Sequence, residues 1–208
     1  MDSDKKNKVD ARQLSAFRNI KRMHPIYMLL YFSMVGIAVL FLILVIAFVR
    51  TGGFQLVDVQ MPKFFTIGTI LLLFSSYTIS RVPAIYKKDK LHKLTRYLGI
   101  SLLLSVIFIA SQLLGWRELS DNGLKFTGAV SGTYFYLISA LHMLHLSAGI
   151  IFISFLFFKT SHVASDAVRS LIFIRDPYRN LQLAMLGRYW HFMSFLWLSL
   201  FMVFLFLI

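Results

Sequence analysis

Charged residues fall in clusters along this chain and leave five stretches without Asp, Glu, Lys or Arg: Met23–Val49, Phe64–Ser80, Tyr97–Trp116, Phe126–Phe158 and Tyr189–Ile208. A helix rises ~1.5 Å per residue, so about 20 apolar residues cross a hydrocarbon core of ~30 Å. The stretches show no period-two alternation, which argues for helices and against a β-barrel. The pattern predicts an all-α, polytopic membrane protein with transmembrane helices at about 23–49, 64–82, 95–116, 128–158 and 187–208. A polar basic tail, residues 1–22, precedes the membrane domain, residues 23–208. In the last loop, "IRDPYRN" has the form of a helix start, with Asp176 as N-cap and Pro177 at the first helical position. The last helix is therefore expected to begin well before Tyr189.

Charge adds an orientation. The tail and the four loops carry 7, 2, 6, 2 and 5 Lys plus Arg in chain order. Cytoplasmic segments hold the excess of basic residues, which predicts the N-terminus inside and the C-terminus outside. The same distribution accounts for the net charge of +13 without a nucleic-acid partner, because no continuous basic face results. The composition, 58% hydrophobic with 21 Phe, is too apolar for a soluble domain of this size. The polar first residues, MDSDKKNKVD, lack the apolar run of a cleavable signal peptide. Zero cysteines exclude disulfides, Fe–S clusters, Cys-ligated zinc and thiolate-bound copper.

Candidate chemistry is sparse. No span contains an acidic side chain, so no carboxylate proton relay can be drawn within them. His142 and His145 share a helix face, and with His191 they raise the prospect of a haem or metal site. The span boundaries set against this an expected depth difference of roughly 10 Å between the pair and His191. The last span opens with "GRYWHFMSFLW", Gly187 to Trp197. Helical spacing places Arg188, His191, Phe192 and Phe195 on one face and Trp190 and Trp197 on another. Arg and aromatic residues near a span end serve as headgroup contacts and helix anchors. Arg188, Tyr189, Trp190, His191 and Trp197, with His142 and His145, are thus expected to form a lipid and helix-packing site.

At these residues the chain resembles subunit III of the haem-copper respiratory oxidases, in its short five-helix form. The final-helix signature is carried by Tyr189, Trp190, His191, Phe192 and Trp197. The preceding helix carries Phe135, His142, His145 and Gly149, and the third carries Gln112, Trp116 and Glu118. Two departures stand out. Ser194 occupies a position that is Asp in many members, and Met34 follows Ser33 where many have a buried Glu.

The resemblance implies a cofactor-free accessory subunit of a proton-pumping cytochrome c oxidase in a bacterial inner membrane. It would pack on the catalytic subunit I beside subunit II, with haem and copper in those partners. It would hold phospholipid and support proton uptake, and further respiratory complexes are conceivable neighbours. The catalysed reaction, oxygen reduction, would belong to the complex and not to this chain. The alternatives are a subunit III of a quinol oxidase, a homologue associated with nitric oxide reductase, and a haem- or metal-binding membrane anchor.

Overall fold

A computed structural model describes residues 25–51, 61–124, 130–164, 170, 173 and 176–207. The tail 1–22 and most of the first loop lie outside the described residues. Five helices follow one another: α1 (Pro25–Arg50), α2 (Lys63–Tyr86), α3 (Leu91–Asp121), α4 (Val130–Ala164) and α5 (Pro177–Leu207). All five are long and apolar enough to cross a membrane, and no strand occurs among the described residues. The fold is all-helical, as the charge gaps predict.

The chain divides into two compact units, Met1–Gly36 and Ile37–Ile208. The described part of the first is the opening of α1, Pro25–Gly36, whose side chains are mostly exposed; Phe32 is 81% exposed. The second unit holds the rest of α1 and the four whole helices that follow. Its outward surface is apolar too, with Phe195, Ile151 and Phe206 at 70%, 70% and 81% exposure. Water would penalise such a surface, whereas lipid accommodates it.

The ends of the helices are set by local chemistry. Pro62, extended at φ −58° and ψ 134°, precedes α2. α2 ends in a Schellman closure: the Lys90 N–H donates to the Ile85 carbonyl and the Asp89 N–H to that of Tyr86. Asp89 takes the left-handed position at φ 58°, which a short polar side chain tolerates better than most. α3 closes the same way. Gly123 sits at φ 95°, Leu124 N donates to the Leu119 carbonyl and Gly123 N to that of Ser120. α5 begins where "IRDPYRN" places it. The Asp176 carboxylate accepts from the Tyr178 N–H at 2.9 Å, and Arg179 lies 3.4 Å from the same side chain. The Tyr86 hydroxyl, bonded to the Phe173 and Asp176 carbonyls, ties the end of α2 to this start.

α2 and α3 form an antiparallel hairpin with a seam of small residues. Ser75 meets the Ser101 carbonyl at 3.3 Å and the Ser105 hydroxyl at 3.4 Å, and Thr78 bonds Ser101. Small side chains allow close approach of backbones, which matters where lipid removes the hydrophobic drive for association. At the other end of the seam Gly115 faces Phe65, and a Cβ there would come within 2.6 Å of the ring.

Candidate helix-packing site on the last helix

α5 crosses both α2 and α4, and its inner face carries two fully buried indoles, Trp190 and Trp197. Trp197 is held on every side. Its ring stacks on Phe65 at 6.1 Å and 15°, meets Phe108 edge-on at 5.5 Å, and lies 4.8 Å from the His142 ring. Its Nε1–H donates to the Thr69 hydroxyl at 3.0 Å, and that hydroxyl donates to the Phe65 carbonyl at 2.8 Å. The threonine spends its hydrogen on its own helix and so presents a lone pair to the indole. The same device recurs between α3 and α4. Trp116 Nε1 donates to the Ser139 hydroxyl at 3.0 Å, and Ser139 donates to the Phe135 carbonyl at 2.9 Å.

The histidines separate into different roles. His142 is fully buried, and its Nε2 donates to the Met193 carbonyl at 3.2 Å. A carbonyl only accepts, so this bond fixes the hydrogen on Nε2 and leaves Nδ1 as a bare lone pair, without a partner among the described residues. His145 donates from Nδ1 to the Leu141 carbonyl at 2.8 Å, a bond within its own helix. The Tyr189 hydroxyl donates to the His145 carbonyl at 2.7 Å. His191 is exposed and shares a 2.7 Å hydrogen bond with the Ser76 hydroxyl of α2.

These contacts overturn the expected depth difference. His142 bonds to a carbonyl two positions from His191, and Tyr189 bonds to His145 itself, so the three histidines lie at one level of the α4–α5 crossing. The reason is the early start of α5 at Pro177, which puts His191 well inside the helix. Equal depth does not bring the rings together. His191 faces α2 on the outer side of α5, whereas His142 is enclosed by Phe41, Phe108 and Trp197. No group of three or more His, Cys, Asp or Glu that could hold a metal occurs among the described residues.

Arg188, His191 and Phe195 lie on the exposed side of α5, and Trp190 and Trp197 on the buried side. Trp190, expected at headgroup level, instead packs inside the protein. A Cβ at Gly149 of α4 would stand 3.0 Å from its ring and 3.1 Å from that of Tyr189, so glycine provides the room. The sequence reading missed Thr69, Ser76 and the Met193 carbonyl. Hydroxyls are common in this chain, and nothing local marks Thr69, Ser76 and Ser139 as the ones that meet a ring nitrogen. Gln112 is fully buried with neither amide atom partnered among the described residues.

Curated proteins of one kind are similar to this chain. "Cytochrome c oxidase subunit 3" of Bacillus sp. (strain PS3) is 31% identical over 146 residues, 69% of this chain and 64% of the relative. "Probable cytochrome c oxidase subunit 3" of Mycobacterium bovis is 27% identical over 139 residues, 67% and 64% of the two chains. "Cytochrome bo(3) ubiquinol oxidase subunit 3" of Buchnera aphidicola is 29% identical over 135 residues, 65% and 64% of the two chains. The chain is a homologue of haem-copper oxidase subunit III. It spans just under two thirds of the length of the curated relatives it matches. No family model matches it.

Proposed function

We propose that this chain is an accessory subunit III of a proton-pumping haem-copper oxidase, with cytochrome c as the electron donor of the complex. The observation that carries this reading is the 31% identity to the Bacillus cytochrome c oxidase subunit. The site agrees in character: Thr69, His142, Tyr189 and Trp197 use their polar atoms to join helices. Haem and copper belong to subunits I and II, which carry the oxygen chemistry, and this chain is non-catalytic. Its residues stabilise the complex and support proton uptake by packing on subunit I in a bacterial inner membrane. The orientation is N-terminus inside and C-terminus outside. Arg188 and His191, exposed on one side of α5, form a strip suited to a lipid phosphate, since a guanidinium meets phosphate in a planar fork. A quinol oxidase is the second reading, favoured by the 29% identity to the Buchnera ubiquinol oxidase subunit.

One fusion after Ile208 tests the function and the orientation. Purified through that fusion from mild detergent, the chain should bring with it haem- and copper-containing subunits, and a fused reporter should act only outside the cytoplasm. A copurifying subunit with a binuclear copper domain indicates cytochrome c, and its absence indicates quinol. Arg188→Ala should leave the initial rate of the complex nearly unchanged and reduce its bound anionic lipid or its activity over many turnovers. A chain that purifies alone, or shows a Soret band without partners, overturns the reading.

A further inference from the structure

The α2–α3 turn carries a feature that helix packing leaves unused. Its Schellman closure at Asp89 fixes Lys88 and Lys90 relative to Lys93 in the first turn of α3. With Arg81, Tyr77 and Tyr97 these lysines line a cavity of about 280 Å³. No carboxylate lines it, although Asp89 stands in the same turn, and none of the four cations is ion-paired among the described residues.

Tyr77 also lines a second, apolar cavity of about 450 Å³ with Ile70, Leu73 and Phe74. Ile70, Phe74, Tyr77 and Arg81 follow at helical spacing, so the two cavities share one side of α2. Ile70, Phe74 and Tyr77 are 50%, 60% and 56% exposed, so no other described residue covers this strip. The rise from Ile70 to Arg81 is about 16 Å, close to half of a ~30 Å hydrocarbon core. At its end the Arg81 guanidinium donates to the Tyr77 hydroxyl at 2.8 Å and lies 5.0 Å from the centre of that ring. One face of the guanidinium is thereby positioned while other N–H groups remain for an anion.

We propose that the α2–α3 hairpin binds one anionic phospholipid, its phosphate among Arg81, Lys88, Lys90 and Lys93 and one acyl chain along Ile70, Phe74 and Tyr77. A bias of lysines toward the cytoplasmic side accounts for the charge but not for a fixed Arg81 or an apolar cavity that adjoins it along the same side of α2. A free phosphate would use the basic cavity and leave the apolar one idle. The site shares no residue with the Arg188 strip.

The test uses the full chain in mild detergent and native mass spectrometry, with phosphatidylglycerol, phosphatidylcholine and inorganic phosphate added separately. One phosphatidylglycerol should be retained at least tenfold better than phosphatidylcholine. Combining Arg81→Gln, Lys88→Gln, Lys90→Gln and Lys93→Gln should abolish that preference. Leu73→Trp, which fills the apolar cavity, should weaken lipid retention severalfold, and Arg188→Gln should leave this lipid in place. Should the fourfold variant fail to fold, Arg81→Lys and Lys93→Gln singly should each weaken retention severalfold. Equal retention of both lipids, a preference that survives these changes, loss of the lipid in Arg188→Gln, or its displacement by stoichiometric inorganic phosphate overturns the proposal. The readout is lipid on this chain alone, so it stands or falls apart from membership of an oxidase.

Discussion

The α2–α3 seam and the face that α5 presents to its neighbours solve the same problem with opposite materials. Both join apolar helices where the surrounding solvent offers no hydrophobic reward for doing so. The first brings backbones close with Ser75, Ser101, Ser105, Gly68 and Gly115, and its hydroxyls mostly bond their own helix: Ser105 to the Ser101 carbonyl at 2.6 Å, Ser101 to that of Tyr97 at 2.9 Å. The second fills space with Trp190, Trp197 and Phe204 against His142 of α4, all fully buried, and ring nitrogens cross between helices from Trp197 and from His142. A close seam depends on what is absent, the Cβ and the methylene groups. An aromatic face depends on what is present. Additions should therefore damage the first and deletions the second.

The largest expected effect is a deletion at the aromatic face. Trp197→Ala removes a ring that touches Phe65, Phe108 and His142, and it strips the Thr69 hydroxyl of its donor. Deletions of this size cost about 3–5 kcal/mol in cores. Detergent-based unfolding should show a loss of that order, and Trp197→Phe should recover more than half by restoring volume without the N–H. A loss below about 1 kcal/mol for Trp197→Ala would mean that α5 is held elsewhere.

The addition comes next. Gly115→Ala places a methyl 2.6 Å from a Phe65 carbon, and Phe65 cannot retreat because Trp197 and Phe135 pack against it. Overpacking of this kind costs about 1–3 kcal/mol. Gly187→Ala on α5 is the control, since its Cβ would meet nothing within 4 Å, and removing a helical glycine should stabilise by about 0.5–1 kcal/mol. Equal effects at the two glycines would dissolve the distinction between close seam and open helix.

The sequence carried the coarse structure because charge placement is a one-dimensional record of a bilayer. Five uncharged runs became five helices, and Asp176–Pro177 marked the start of α5 through cap chemistry that acts over three residues. The face division on α5, with Arg188 and His191 on one side and both indoles on another, followed from helical period, but not which side is buried: Trp190, expected at headgroup level, lies inside. The partners did not follow. Thr69 receives Trp197 from 128 positions away and Ser76 receives His191 from 115, and one sequence records no such pairing. The depth error at His191 has a different origin. A span counted from the first uncharged residue of its run puts His191 near the membrane surface, whereas α5 continues through Arg188 and Arg179 because charged side chains of this length can lie along a helix and reach outward.

The smallest expected effect lies in the polar seam. Ser75 and Thr78 are its hydroxyl links between helices, and both contacts of Ser75, 3.3 Å to the Ser101 carbonyl and 3.4 Å to the Ser105 hydroxyl, are long. The Ser101 carbonyl also accepts the Ser105 hydroxyl at 2.6 Å, so it keeps a partner when Ser75 is gone. Interhelical hydrogen bonds in membranes average only ~0.6 kcal/mol. Ser75→Ala should therefore cost about 0.6 kcal/mol or less. Thr69→Val keeps the shape but leaves the Trp197 N–H buried without an acceptor, which should cost about 1–3 kcal/mol. The ratio of the two losses, measured in the same unfolding assay, decides whether the hydroxyl matters for the bond it makes or only for its size. If Ser75→Ala proves as damaging as Thr69→Val, the seam is held by hydrogen bonding, and the close approach of α2 and α3 is its consequence rather than its cause.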